Sequence, residues 1–419
     1  MNDGKRRVVV TGMGAVTPLG NDVATFWRRL VAGESGVRTI AGFDPSRLES
    51  RIAGEVVDFD PSGVIDRKQV RRNDRYTQLA LVASREAMAH AGLPERLDDA
   101  MADRAGAIIG SGIGGSGTMM EQFSILAHRG PDRLSPFFIP MIIANIGVGQ
   151  AAITFNLRGP NWATVSACAS AGHAIGEASE TIIRGDAELM LAGGSEAPVT
   201  EAFLGAFDAM RALSRRNDDP AAASRPFDEG RDGFVIAEGA AVLVLEELGH
   251  AERRGARILA EITGYGATAD ASHITLPAEG GLGGVRAARR ALEKAGLEPS
   301  EIDYINAHAT STPEGDPAEL AGFRTVFGEH APRISISATK SSIGHTLGAA
   351  GAIGAVATIC AMRDSCVPPT INLVDPAPAV GDLDCTPLEA GRREIRAALV
   401  NAFGFGGQNS AIVLRRWEG

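Results

Sequence analysis

The residue with the clearest chemical potential is Cys168, which lies between a β-prone run and a helical pattern. Apolar side chains at Ile175, Ala178 and Ile182 recur at three- and four-residue spacing, and Gly185 is the expected end of this helix. The sulfur would then lie beside a helix N-terminus, whose unpaired N–H groups and partial positive charge favour a thiolate. The alternative is a small buried hydrophobic residue, the usual role of a free cysteine.

Two histidines in later loops could supply the partners that a nucleophilic cysteine needs. His308 follows a strand-like run, and His345 lies shortly after Lys340 in a Gly- and Ala-rich segment. A further loop near the C-terminus carries Phe405 between glycines. A third histidine, His173, lies within the helix after the cysteine and is expected to pack inside the protein. Two loop histidines together with a cysteine at a helix start are typical of an active site.

Length and composition limit what surrounds these residues. The chain has 419 residues, 44% of them hydrophobic, and a formal net charge of −10. This length exceeds one typical core, so two domains or two closely packed halves are expected. An acidic chain lacks the basic surface of general nucleic-acid binding. No metal or cofactor is expected.

The cysteines and the hydrophobic segments predict a cytoplasmic protein. The four cysteines lack the paired spacing of a zinc site or a disulfide framework, which indicates a reducing compartment. The N-terminal residues 1–7 are polar and lack the apolar region of a secretory signal. The apolar run 347–362 is too short to span a bilayer and is interpreted as a buried helix, so no membrane insertion is expected.

Internal similarity indicates a duplicated unit. Three pairs of segments occur in the same order: 10–15 with 262–267, 91–93 with 295–297, and 170–178 with 342–350. The third pair would align Cys168 with Lys340 and relate two helix starts by pseudo-symmetry. The predicted division is an N-terminal half, residues 1–255, and a C-terminal half, residues 256–419.

The order of the predicted elements gives the fold class. Strand-like runs, such as 187–191, 303–307 and 397–401, alternate with helical runs such as 76–91 and 284–295. This alternation predicts an α/β protein with sheets covered by helices on both faces. Two glycine-rich turns, beginning at Gly12 and Gly110, weakly match a dinucleotide loop, but neither is followed by the required acidic residue, so tight turns are favoured.

The chain resembles the β-ketoacyl-[acyl-carrier-protein] synthases, most closely the elongating type II enzymes, over residues 8–414. The motifs that carry the resemblance are 157–160, 211–214, 224–234, the ordered set Cys168, His308, Lys340 and His345, and the Phe405 loop. The resemblance implies a thiolase-like fold of two duplicated βαβαβαββ halves, layered α-β-α-β-α. It also implies a homodimer that works with acyl carrier protein and its phosphopantetheine arm.

The resemblance further implies a role for each loop in fatty-acid elongation by decarboxylative Claisen condensation. Cys168 would carry the acyl chain as a thioester, and the backbone N–H groups of Cys168 and Phe405 would form an oxyanion hole. His308 and His345 would stabilise the enolate left when malonyl-carrier loses CO₂. Lys340 would pair with Glu319 and support the His308 loop. The Phe405 side chain would also gate the acyl channel.

Further residues follow from the same resemblance. Substrate binding is expected at Thr275, Thr310, Thr312 and Phe403, and carrier docking at Lys68, Arg71, Arg72 and Arg211. For Thr310 and Thr312, ordinary turn chemistry is nearly as good an interpretation. Ala309 and Gln408 stand where the family commonly has Gly and Thr. Two alternatives remain: a ketosynthase of a polyketide or specialised lipid pathway, and a non-catalytic subunit that resembles a chain-length factor.

Overall fold

The computed structural model describes residues 6–419. Most of the polar segment 1–7, for which no secretory signal is predicted, lies outside these residues. Residues 6–419 contain fourteen strands, of which ten form one sheet in the order β10-β9-β13-β14-β8-β1-β7-β6-β4-β5. The strands are β1 (Val8–Val16), β2 (Val37–Thr39), β3 (Ile52–Gly54), β4 (Ala105–Gly110), β5 (Asn161–Trp162), β6 (Leu189–Glu196), β7 (Gly239–Glu247), β8 (Ala260–Ala269), β9 (Tyr304–Asn306), β10 (Ser335–Ser337), β11 (Cys366–Val367), β12 (Gly391–Arg392), β13 (Ala397–Gly404) and β14 (Gln408–Arg416).

The helices lie on both faces of this sheet and between its two halves. Short 3₁₀ turns occupy several of the connections. The α-helices are α1 (Val23–Val31), α2 (Arg67–Val70), α3 (Arg75–His90), α4 (Asp99–Ala102), α5 (Ser116–Arg129), α6 (Phe138–Ile142), α7 (Ile146–Phe155), α8 (Ser170–Arg184), α9 (Glu201–Ala209), α10 (Leu248–Arg253), α11 (Leu282–Ala295), α12 (Gly315–Phe327), α13 (Lys340–Ile343) and α14 (Ala350–Asp364).

The packing of the helices produces five layers. Helix α3 covers β1, β6 and β7, and helix α11 covers β8, β13 and β14. Helices α8 and α14 contact each other and lie between the two sets of strands. The order is therefore α-β-α-β-α, which confirms the predicted thiolase-like α/β fold. The predicted division at residue 255 falls in the connection between α10 and β8 and stays a prediction.

Strand β7 shows why the central strands are apolar at every position. Ala241, Leu243 and Leu245 join the core around the central helices, and Val242 and Val244 join the core beneath α3. Successive side chains of a strand point to opposite faces, so a strand covered on both faces buries both sets. All five side chains are fully buried.

The first predicted repeat is confirmed and has a steric cause. A Cβ atom on Gly14 would lie 2.0 Å from the carbonyl oxygen of Ala83 in α3, and one on Gly266 would lie 2.0 Å from that of Ala287 in α11. The outer helix of each half therefore rests directly on the strand backbone. Glycine is required at these positions because any side chain would push the helix away.

The third predicted repeat is wrong. Ser170 begins the fifteen-residue helix α8, whereas Ser342 lies inside the four-residue helix α13. The counterpart of α8 in the C-terminal half is α14, which also has fifteen residues and begins at Ala350. The extra helix α13 between β10 and α14 shifts the alignment, so Cys168 and Lys340 are not symmetry-related.

Replacing Gly266 by alanine is expected to lower the free energy of unfolding by about 1–3 kcal/mol, because the new methyl group would displace α11 from β8. Urea denaturation followed by circular dichroism measures this change. Gly205→Ala in α9 is the matched control, since the nearest atom to its Cβ position, on the Leu48 side chain, lies at an ordinary contact distance of 3.6 Å and alanine favours a helix. Equal effects of both substitutions would contradict the steric explanation.

The segment Leu347–Asp364 is the one described helical region that is long and apolar enough to cross a membrane by length and composition. In the structure 89% of it is buried inside the protein. It consists of a 3₁₀ turn followed by α14, the central-layer helix of the C-terminal half. The predicted buried helix is confirmed, but the expectation that this run is too short to span a bilayer is wrong, because the helical region extends to Asp364.

Candidate active site

Cys168 lies in a tight turn just before α8. Ala167 has a φ of 49°, in the left-handed region, and its carbonyl oxygen accepts a hydrogen bond from the Ser170 N–H at 3.2 Å. The Ala169 N–H donates to the carbonyl oxygen of Ser166 at 3.1 Å. These bonds fold the chain sharply between strand and helix, so that the cysteine side chain faces a cavity rather than the core.

His345 comes from the C-terminal half and is held by its own backbone. Its N–H donates to the carbonyl oxygen of Val235 at 2.7 Å, and its carbonyl oxygen accepts from the Ala237 N–H at 2.9 Å. The ring meets Phe234 edge to face, with 5.5 Å between the ring centroids. This arrangement places Nε2 of His345 3.0 Å from Sγ of Cys168.

His308 follows β9, and a buried carboxylate holds its backbone. The N–H groups of His308 and Ala309 donate to the two oxygens of Glu319 at 2.8 and 2.7 Å. The imidazole lies with its centroid 5.4 Å from that of His345 and 5.5 Å from that of Phe403. Ala309 has a φ of 24°, a backbone conformation in which alanine is more strained than glycine. The alanine that replaces the common family glycine therefore lies at a strained position.

A cavity of about 490 Å³ connects these groups. The cysteine and both histidines line it, together with all four residues predicted to bind substrate and one predicted docking residue: Thr275, Thr310, Thr312, Phe403 and Arg211. The two threonine hydroxyls of the His308 loop lie 3.2 Å apart. The fold therefore brings predicted site residues from six separate segments of the chain around one cavity.

The other predicted docking residues do not line this cavity. Lys68 and Arg71 are exposed in and just after the short helix α2. The guanidinium of Arg72 lies 4.4 Å from the ring centroid of Phe137 and is half-buried there. The basic cluster is thus a surface feature separate from the cavity wall.

The expectation of a resting thiolate at Cys168 is wrong. Burial raises the pKa of this thiol to about 12, although the positive charge of Lys340 opposes the shift. The backbone N–H groups of Cys168 and Phe405 lie close enough to the sulfur to lower this pKa as well, and their role as an oxyanion hole stays a prediction. The helix end and the lysine do not outweigh the loss of water around the sulfur.

Both active-site histidines are neutral near pH 7. Burial lowers the pKa of His308 and of His345 well below the usual value, and the charge of Lys340 lowers both further. Within residues 6–419, Nδ1 of each ring has no hydrogen-bond partner. A neutral imidazole beside a thiol can accept the thiol proton, and a neutral N–H can donate to an anionic oxygen.

Lys340 and Glu319 act on each other at longer range than predicted. Their side chains are not in contact as an ion pair, which would require an N···O distance of 4.0 Å or less. Burial lowers the pKa of Lys340 and raises that of Glu319, while the opposite charge on each reduces the shift of the other. The Glu319 carboxylate is instead occupied by the His308 loop and by Asn401 Nδ2, at 3.3 Å.

The glycine-rich loop after β13 has the backbone freedom that a gate needs. Phe405 is 38% exposed and lines the cavity. Gly406 and Gly407 have φ angles of 83° and 72°, in the region that glycine favours. The Gly406 N–H donates to the carbonyl oxygen of Ile274 at 2.7 Å, which connects this loop to the segment carrying Thr275.

Glu196, at the end of β6, is a site residue that the sequence predictions missed. Its buried carboxylate accepts hydrogen bonds from the Ser111 hydroxyl at 2.7 Å and from the N–H groups of Gly112, Ile113 and Gly348 at 2.6, 3.1 and 2.9 Å. The carboxylate therefore connects the turn at Gly112 with the backbone at Gly348, beside Cys168. The Gly112 turn is the one that weakly matched a dinucleotide loop. An acidic residue ending an apolar strand was the available signal.

Replacing Lys340 by methionine is expected to slow Cys168 alkylation by about 10- to 1000-fold in the part of the pH profile below about pH 8, where the lysine is charged because burial lowers its pKa to about 8. The lysine charge lowers the pKa values of Cys168, His308 and His345, so its loss raises all three. Iodoacetamide modification followed by mass spectrometry measures the rate at each pH. Lys294→Met, which removes a surface lysine paired with Glu180, should leave the profile unchanged. An unchanged profile for Lys340→Met would contradict the electrostatic role.

Comparisons with known proteins identify the family of this chain. Residues 5–251 match the sequence model of the beta-ketoacyl synthase N-terminal domain, and residues 259–374 match that of the C-terminal domain. The chain is 48% identical over 413 residues to 3-oxoacyl-[acyl-carrier-protein] synthase 2 of Staphylococcus aureus (strain N315), covering 99% of each chain. The corresponding enzyme of Coxiella burnetii (strain RSA 493 / Nine Mile phase I) is 47% identical over 412 residues, covering 98% of this chain and 99% of the relative.

Solved structures show the same fold. A beta-ketoacyl synthase from Burkholderia phymatum STM815 has a TM-score of 0.92 and 38% identity. A type II PKS acyl-carrier protein in complex with its ketosynthase, bound to the hexaketide, gives a TM-score of 0.90 and 35% identity. Each comparison covers 99% of this chain and 100% of the other. The family models, the relatives and the fold agree, and the chain belongs to the beta-ketoacyl synthase family, whose members are condensing enzymes.

Proposed function

We propose that this protein elongates fatty acyl chains by decarboxylative Claisen condensation, as a 3-oxoacyl-[acyl-carrier-protein] synthase of the second type and hence an acyltransferase. The observation that carries the proposal is the 3.0 Å approach of His345 Nε2 to Cys168 Sγ, with His308 beside it in one cavity. This set contains a nucleophile, a proton acceptor and a second imidazole. Two curated relatives, 48% and 47% identical to this chain, carry the same name.

In the first half-reaction Cys168 takes the acyl chain from acyl carrier protein. As sulfur attacks the thioester carbonyl, neutral His345 accepts the thiol proton and passes it to the leaving phosphopantetheine thiolate. The carbonyl oxygen, which gains negative charge, is stabilised by the N–H groups of Cys168 and Phe405. The C–S bond to the carrier breaks, and an acyl-Cys168 thioester forms.

In the second half-reaction malonyl-carrier enters the same cavity and loses CO₂. The electron pair of the broken C–C bond moves into an enolate, whose oxygen accepts a hydrogen bond from the His308 imidazole and one from His345 once the ring proton of His345 has moved from Nδ1 to Nε2. The enolate carbon attacks the acyl carbonyl and expels the Cys168 thiolate. The thiolate takes a proton from solvent, and the product is a 3-oxoacyl chain two carbons longer on the carrier.

The supporting residues would orient and admit substrate. Glu319 fixes the His308 loop through two backbone N–H groups, and the charge of Lys340 adds to the burial that keeps both imidazoles neutral. Thr310 and Thr312 would bind the phosphopantetheine arm along the cavity wall, with Thr275 and Phe403 nearby. The exposed Phe405 side chain would swing aside once an acyl chain is attached, through rotation at the following glycines.

The partner would be acyl carrier protein, which is strongly acidic. A solved relative is a ketosynthase in complex with its acyl-carrier protein. The exposed cations of Lys68 and Arg71 and the exposed Arg211 at the cavity provide complementary charge in a chain of net charge −10. A cytoplasmic location stays a prediction.

A homodimer would pair the edge strand β5 with that of a second copy. Among the described residues β5 has one neighbour in the sheet, so its outer edge is unpaired. Large apolar side chains are exposed on β5, on the loop after it, and on α5, α6 and α7 beside it. They are Trp162, Val165, Phe123, Ile139 and Ile153, with exposed fractions of 37, 62, 48, 59 and 66%. Such an edge suits an isologous twofold interface.

Val165→Asp is expected to convert the dimer to a monomer, because a carboxylate would be buried without a partner in the proposed interface. Sedimentation velocity measures the change. Val374→Asp is the control, since Val374 is equally exposed at 69% but lies outside these elements. A monomeric wild-type protein, or a dimeric Val165→Asp variant, would contradict this interface.

The test of the proposed function is a reconstituted assay with purified protein, acyl-carrier and malonyl-carrier, read by mass spectrometry. The expected product is a 3-oxoacyl-carrier from one condensation, with one CO₂ released per product. Repeated condensations without reduction would indicate a polyketide ketosynthase. A failure to form acyl-Cys168 would indicate a non-catalytic subunit. A series of acyl chain lengths in the same assay identifies the preferred substrate.

A further inference from the structure

His173 connects the nucleophile turn to the glycine-rich loop. His173 is the fourth residue of α8. Its Nδ1 lies 2.6 Å from the Ser166 hydroxyl, and its Nε2 lies 3.2 Å from the carbonyl oxygen of Asn409. A carbonyl oxygen only accepts, so Nε2 carries the proton and Nδ1 accepts the proton of the Ser166 hydroxyl. Burial lowers the pKa of His173, which agrees with this neutral form.

The two ends of this hydrogen-bonded chain belong to the two segments that carry the oxyanion donors. Ser166 is two residues before Cys168, in the tight turn around Ala167. Asn409 faces Phe403 in the β13–β14 hairpin, whose tip is Phe405. The segments are also in van der Waals contact, since a Cβ atom on the hairpin residue Gly404 would lie 2.7 Å from the carbonyl oxygen of Ser166.

His173 does not touch the substrate space. It does not line the cavity, and both of its ring nitrogens are already bonded. The edge of its ring meets Tyr265, with 6.4 Å between the ring centroids, which fixes its plane. A third proton-transfer imidazole is therefore excluded, and a positional role remains.

We infer that His173 is a positioning residue that sets the distance between the Cys168 and Phe405 N–H groups, through Ser166 on one side and Asn409 on the other. The inference rests on the proposed function, because it concerns the oxyanion hole of that reaction. The hole serves acyl transfer to Cys168 and the condensation step, whereas malonyl decarboxylation uses the imidazoles of His308 and His345. Loss of His173 should therefore slow acyl transfer to Cys168 without slowing malonyl decarboxylation.

The experiment compares His173→Phe with wild-type protein in two assays. Phenylalanine keeps the ring packing on Tyr265 and removes both hydrogen bonds. Single-turnover acyl transfer from acyl-carrier to Cys168 should slow by about 10- to 100-fold, the loss that a small misplacement of catalytic groups produces. Release of CO₂ from malonyl-carrier should stay within about twofold of wild type.

A second variant keeps the inference testable if His173→Phe does not fold. Ser166→Ala removes one of the two bonds and should slow acyl transfer without slowing decarboxylation, and the double variant should be no slower than His173→Phe alone. Unchanged acyl transfer in the folded variants, or an equal loss of both activities, would overturn the inference. Failure of wild-type protein to acylate Cys168 would instead overturn the proposed function.

Discussion

Replacing Cys168 by alanine is expected to abolish condensation, because the acyl chain then has no sulfur on which to form a thioester. Enzymes that lose their nucleophile lose activity on the order of 10⁶-fold, so product should fall below detection. Mass spectrometry of a mixture of acyl-carrier and malonyl-carrier measures it. Release of CO₂ from malonyl-carrier should continue, because His308 and His345 remain in place.

The matched control is Cys360→Ala. Cys360 is also a free cysteine, but it is fully buried in α14 and does not line the cavity. This variant should form the wild-type product at the wild-type rate. Condensation by the Cys168→Ala variant would contradict a covalent mechanism, whatever the other assays show.

Replacing His308 by alanine is expected to slow malonyl decarboxylation by about 10²–10³-fold, the loss seen when one oxyanion donor is removed. Acyl transfer to Cys168 should change little, because the imidazole within hydrogen-bond distance of the sulfur is His345. The two rates are measured separately, as CO₂ release from malonyl-carrier and as single-turnover acylation of Cys168.

His345→Ala provides the contrast, since it removes both the neighbour of the sulfur and one enolate donor and should slow both half-reactions. His128→Ala is the control, because His128 is exposed and lies outside the cavity. Equal slowing of the two half-reactions by His308→Ala would contradict the division of roles between the histidines.

Much of the fold could be predicted from local features of the sequence. The spacing of glycines at Gly14 and Gly266 repeats because each half places a helix against a strand, and such a contact tolerates no side chain. The helix after Cys168 and its end at Gly185, which has a φ of 87°, follow from apolar periodicity and a left-handed cap. Both features depend on interactions between residues close together in the sequence, so a short segment is enough to predict them.

The errors arose where distant segments decide the outcome. A helix start suggested a thiolate at Cys168, but the surrounding residues remove the water that would stabilise it. The resemblance implied a pairing of Lys340 with Glu319, whereas packing directs the carboxylate to backbone N–H groups of the His308 loop. The alignment of Ser170 with Ser342 failed because two Gly- and His-containing segments can look alike and still fold into helices of different length.

The raised pKa of Cys168 has a consequence for the enzyme between reactions. Peroxide and other electrophiles react with thiolates far faster than with thiols, so a protonated sulfur is a slow target for oxidation. The Cys168 sulfur, which lines an open cavity, is thereby protected from oxidation until a carrier binds. Peroxide treatment should leave most Cys168 unmodified under conditions that oxidise an ordinary solvent-exposed cysteine. The burial that makes the Cys168 thiol slow to ionise, and so slow to attack a substrate, would also make the enzyme resistant to oxidative stress.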